Sequence, residues 1–296
     1  MSSLTKSKFM RNAYAIAVGA GAGLSVGTIG WGGAQVIIPL MTHPGSLANF
    51  SQLSATGISL SSLSVSTISS GYKFWKEDRV NLSLALAIGI PAVISARMGS
   101  HFAKKLSGDA LALFFNGFSI LLIPTHFWIQ QRASARSVIT ADIDARKITS
   151  PPKEHKSGHT GMHLMDGIPT PFLLQHASFG LVSGIISALM GVGGLPLTIS
   201  YITETTELPH HYVQGTAVCA LIPSILVSAA SRMKVIPLQT AGCVALGAMV
   251  GGYGGATVAL DLTEDQLRFL FMGSLALFGG RSTIGAIRNI QRIRSR

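Results

Sequence analysis

Two stretches of this chain concentrate glycine within apolar surroundings: GTIGWGGAQ, carrying Gly30, Gly32 and Gly33, and ALMGVGGLP, carrying Gly191, Gly193 and Gly194. A glycine inside a helix costs about 1 kcal/mol relative to alanine, so each cluster predicts a helix break. A break in an apolar environment leaves backbone N–H groups without intrahelical partners, and the positive dipole end of the resumed helix favours a negative ligand. The chemistry on offer is non-covalent recognition of an anion. Side chains that could complete such a site are Gln35, just after the first cluster, Thr56 and Ser59, and the comparably placed Gln214 and Thr216. Arg97 joins them, because an ionisable residue within an apolar segment is a functional candidate by default. Each has a plainer role: glycines let helices pack closely, hydroxyls bond their own helix carbonyls, and Arg97 reaches out to a headgroup layer.

The chain offers little for covalent chemistry. All 12 Asp and Glu residues fall between apolar segments or at their ends, which removes buried carboxylates as proton relays or cation ligands. His126 and His176 have no acidic residue within their own segments, so no catalytic set is expected and the chain does not read as an enzyme. His155, His159 and His163 recur every fourth residue, but Gly158 and Gly161 interrupt them and no Cys or acid completes a set. Neither a metal nor a cofactor is expected. Cys219 and Cys243 both lie in apolar runs, with no spacing that suggests a disulfide framework.

The elements that must position these residues follow from composition. Of 296 residues, 48% are hydrophobic and 12% charged, against about 25% charged in ordinary soluble domains. The sequence therefore predicts an all-α, polytopic membrane protein, since only helices or closed barrels satisfy the backbone in hydrocarbon and no alternating strand pattern is present. Eight segments approach the ~20 residues a span needs: 13–42, 50–71, 80–103, 110–130, 172–203, 212–231, 236–260 and 266–287.

Charge orients them. The net charge of +11 is gathered between spans and at the ends rather than along one amphipathic face, so nucleic acid is not an expected partner and membrane lipid is. With eight crossings, 19 of the 23 Lys and Arg residues fall on one side, which the positive-inside rule makes cytoplasmic. Both termini (1–12 and the basic tail 288–296) and the polar linker 131–171 are expected there. A re-entrant first segment would put Lys73, Lys76 and Arg79 outside, so eight full crossings are the expectation.

The two halves repeat. At a shift of 161, Gly19, Gly23, Gly30, Gly32 and Gly33 align with Gly180, Gly184, Gly191, Gly193 and Gly194; at a shift of 156, Leu82, Gly99, Asp109 and Phe115 align with Leu238, Gly255, Asp265 and Phe271. Even numbers of spans per half predict two parallel four-helix repeats, 13–130 and 172–287, related by an axis along the membrane normal.

The doubled GxxxGxxx(G/A)xxGxGG signature, the eight segments and the polar linker resemble the sulfite exporter TauE/SafE family across both halves. Ala34 and Leu195 stand where the family carries a third consecutive glycine, Pro39 keeps its downstream proline and Ser200 replaces the second. The resemblance implies export of sulfite, sulfoacetate or a related sulfur-containing organic anion. The reading is a transporter holding a small-molecule anion at Gly30–Gly33 and Gly191–Gly194; a passive anion channel and a non-transporting scaffold are the alternatives, and a homo-oligomer is compatible with all three.

Overall fold

The computed structural model describes residues 3–43, 50–121, 124, 170–206, 208–271, 273–274 and 277. The linker 131–169 with its three histidines, the tail 288–296 and most of 122–130 and 272–287 lie outside the described residues. What is described is helical, with no strand. The helices are α1 (Ser3–Ile29), α2 (Ala34–Thr42), α3 (Gln52–Lys76), α4 (Leu82–Lys105), α5 (Gly108–Leu121), α6 (Thr170–Met190), α7 (Leu195–Thr205), α8 (His210–Arg232), α9 (Leu238–Asp261) and α10 (264–271). Five among the described residues are long and apolar enough to cross a membrane: Lys8–Ile29, Leu82–Lys105, Leu173–Met190, His210–Val235 and Leu238–Asp261. Large apolar side chains such as Ile94, Val250 and Leu174 point outward, as a lipid-facing surface requires.

Helix α3 is rich in hydroxyls yet mostly buried. Ser64, Thr67 and Ser70 donate to the carbonyls of Leu60, Leu63 and Ser66 at 2.7–2.8 Å, so each hydroxyl is satisfied within its own helix. That lets a polar sequence occupy the middle of an apolar bundle.

Glycine sets both the closest contacts and the directions of the helices. Along α1 and α9, Gly19 faces Val244, Gly23 faces Ala248 and Gly27 faces Gly252, with no room for a Cβ at any of the three. Both numbers rise together, so α1 and α9 are parallel. Helices α4 and α6 are parallel by the same logic: Gly180 faces Ile88, Gly184 faces Ala92, and Gly99 faces Ile185. Helices α3 and α8 are antiparallel, Gly57 lying near Arg232 and Gly71 near Cys219. Backbones approaching this closely gain dispersion contact that lipid tails do not replace, the packing role expected of Gly19, Gly23, Gly180 and Gly184.

These directions correct two expectations. Helix α2 doubles back along α1: Gly33 packs on Ala22 and the Tyr14 hydroxyl donates to the Leu40 carbonyl at 3.2 Å. Helix α7 returns along α6, with Gly194 against Ser183 and Ser187, and Tyr201 bonded to His176 at 2.7 Å. Segments 13–42 and 172–203 are thus helical hairpins, a long helix out and a short one back, rather than single continuous helices. In consequence α1 and α6 enter the bundle from opposite ends, which we call the near end, where α1 begins, and the far end. The described helices of the two halves are inverted rather than parallel, and α6 starts at the opposite end from α1 rather than beside it. The charge count missed this because a hairpin adds an uncounted return, and one return reverses every later loop.

Candidate functional site

Each hairpin turns at its glycine cluster. Gly30 has φ +68° and Gly191 φ +74°, in the left-handed region that ends helices without a Cβ penalty. Their N–H groups donate to Val26 and Ser187, each four residues back at 3.0 Å, so α1 and α6 close with the same αL cap. Past the caps the two clusters meet: Gly32 lies against the Val192 carbonyl, and Gly193 sits beside Leu63 and Ile225, midway along α3 and α8. Helices α2 and α7 then start from this centre and run toward opposite ends. Neither start, Gly33 or Gly194, is capped by a side chain. Two positive helix ends therefore converge on the middle of the bundle.

The carbonyl ends of the broken helices are met by buried side chains. At α1, Gln214 Nε2 donates to the Gly27 carbonyl at 2.7 Å, while its Oε1 is buried with no hydrogen-bond partner among the described residues. Ser59 donates to the Gly191 carbonyl at 3.0 Å. At the end of α6, Arg232 donates to the carbonyls of Ala188 and Leu189 and to the Thr56 hydroxyl. Thr56 in turn packs beneath Gly191 and donates to Leu53.

Of the residues the sequence singled out, the structure gathers Gly30 with Gln214, Gly32 with the second cluster, and Gly191 with Thr56 and Ser59. Three go elsewhere. Gln35 is buried but bonds Ser119 of α5 at 2.7 Å; Thr216 accepts the Asn81 N–H at 2.9 Å, on the turn between α3 and α4; Arg97 is exposed on α4. Arg232 is the residue sequence reasoning missed. It was counted as a loop charge at the end of an apolar run, and only the approach of α6 from another part of the chain encloses it. It is fully buried at 0% exposure, whereas no Asp or Glu among the described residues is buried.

Arg232 calls for a physical account. Removing an ion from water costs several kcal/mol even after relaxation, and each hydrogen bond to a charged group returns about 1.5–3 kcal/mol. Three acceptors can offset the burial, and a cation at a helix C-terminus is further favoured by the dipole. The charge is not needed for capping, since neutral Gln214 performs that task on α1.

Outside the bundle core, a carboxylate–imidazole contact ties α8 to α10. Glu264 accepts the His210 N–H and faces His211 Nδ1, both at 2.9 Å. Partial burial pushes its carboxyl up, but these two bonds and the charge of His211 outweigh burial and leave it below the usual carboxylate range.

Helix breaks in pairs, buried at the centre of an apolar helical bundle, belong to membrane transporters. The chain is a multi-pass integral membrane protein and a member of the sulfite exporter TauE/SafE family, whose profile matches residues 15–282. It is similar to the probable membrane transporter protein YdhB of Bacillus subtilis (strain 168), with 21% identity over 204 residues, covering 68% of this chain and 70% of that protein. No solved structure matches it.

Proposed function

We propose that this transporter carries a small anion, of the class of sulfite, sulfoacetate or a related sulfur-containing organic anion, through a site between the paired glycine breaks. The meeting of the two glycine turns at the Gly32–Val192 contact, beside two helix starts that no side chain caps, carries the reading, because it brings two positive dipole ends together with no buried carboxylate among the described residues. The Gln35 and Val36 N–H groups already bond the Gly32 and Gly33 carbonyls and Pro196 has none, so the dipoles rather than a row of free donors attract the anion. The anion lies among Gly30, Gly32, Gly33, Gly191, Gly193 and Gly194; Thr56, Ser59 and Gln214 brace the two breaks, their donors given to the carbonyls of Leu53, Gly191 and Gly27. Gln35 and Thr216 bond neighbouring elements rather than touch it, and Arg97 stands on the exposed face of α4.

Residues 13–130 and 172–287 form two inverted halves joined by 131–171. Rocking of one against the other exposes the site alternately to each end. The near end, which carries Lys8, Arg11, Lys104, Lys105 and Lys234, faces the cytoplasm together with both termini. The far end, where Glu77, Asp78, Glu204, Asp261 and Asp265 stand beside Lys73, Lys76 and Arg79, faces away. Reconstitution into liposomes and measurement of labelled sulfite and sulfoacetate flux tests the function. Flux above that of empty liposomes for at least one of them is expected, and equality for both overturns it.

A further inference from the structure

We propose that Arg232 is the fixed countercharge for the transported anion, receiving an oxyanion on the near-end side of the glycine breaks; this rests on the transport reading above. Four observations converge. Arg232 is the one fully buried charged side chain among the described residues, and none of its partners there is a carboxylate. Its Nε–H is enclosed without an acceptor among the described residues, although its other two nitrogens are bonded. Its Nη1 meets Thr56, the residue directly under Gly191, so the guanidinium borders the break itself. Finally, the matching broken end of α1 is held by neutral Gln214, so closing α6 leaves the positive charge unexplained.

A mobile oxyanion accounts for all four. It neutralises the buried cation while bound, accepts from the free Nε–H, and leaves the bonds to Ala188, Leu189 and Thr56 in place. Nη1 and Nη2 stay engaged, so one oxygen of a sulfite, sulfonate or carboxylate group takes the Nε–H in a charge-assisted bond. The ligand class is the small oxyanion of the transport reading.

The test compares wild type with Arg232→Gln and Arg232→Lys in liposomes, measuring initial sulfite flux against concentration. Thermal unfolding in detergent is followed with and without sulfite. Gln retains a donor for the Ala188 carbonyl, so a purely capping role predicts an unchanged KM. The countercharge role predicts that Arg232→Gln lowers kcat/KM by about 10- to 100-fold and loses the stabilisation by sulfite seen in wild type. Arg232→Lys, which keeps the charge without the Nε–H donor, is expected to raise KM more than it lowers kcat. If Arg232→Gln does not fold, the KM of Arg232→Lys decides, and a wild-type value overturns the proposal. Wild-type flux with unaltered KM in both variants removes the role of Arg232 alone; no wild-type flux on either sulfur anion removes the transport reading and this inference with it.

Discussion

Gly32 rests directly on the carbonyl of Val192, so that two loops 160 positions apart in the chain touch where a side chain would have to stand. Each hairpin thereby fixes the other's turning point. Helices α2 and α7 can start at the centre only because Gly32 carries no Cβ where the Val192 carbonyl stands.

Gly32→Ala should therefore be costly. The added Cβ meets main chain, which cannot rotate away, and overpacking of this kind destabilises by about 1–3 kcal/mol. Gly254→Ala in α9 is the control, because its Cβ would meet nothing within 4 Å. It removes a helix-interior glycine, so a gain of about 0.5–1 kcal/mol is expected. Thermal unfolding in detergent ranks the pair, and Gly32→Ala as stable as wild type would contradict the contact.

Inverted halves make a topological prediction. Asp78, on the turn between α3 and α4, and Lys234, between α8 and α9, lie at opposite ends of the bundle. In a background with Cys219 and Cys243 replaced by serine, Asp78→Cys and Lys234→Cys should be labelled by an impermeant maleimide from opposite sides of the membrane. Labelling of both from the same side would restore eight full crossings.

Gln214→Leu removes the only side-chain donor to the Gly27 carbonyl found among the described residues. A buried acceptor left unsatisfied costs about 1–3 kcal/mol, so unfolding should shift down and transport should fall with it. An unchanged melting temperature would show that water or backbone replaces the amide.

Glu264 gives a pH signature. Its folded-state pKa lies below the unfolded value, so its contribution to stability is present above the unfolded carboxylate range and is lost as pH falls through the folded value. Glu264→Gln should be less stable than wild type at neutral pH, and the two melting curves should converge in acid. A gap that stays constant with pH would mean the carboxylate charge contributes nothing to the tie between α8 and α10.

The sequence by itself determined the solvent and the raw material of this protein. Long apolar segments with few charges require helices in hydrocarbon, and clusters such as Gly30–Gly33 and Gly191–Gly194 mark where those helices fail, because helix propensity is a local property. It also marked Gln214, Thr56 and Ser59 as polar residues near the breaks. Direction after each break was decided only by tertiary structure. Whether the chain continues across or turns back depends on what Gly33 and Gly194 pack against, namely Ala22 and Ser183, and no local signal encodes that contact. The role of Arg232 has the same origin. At the end of α8 it carries the marks of an interfacial charge, and it becomes a buried cation only when α3 and the end of α6 close over it. Charge burial is a property of the assembled bundle, not of the segment that bears the charge.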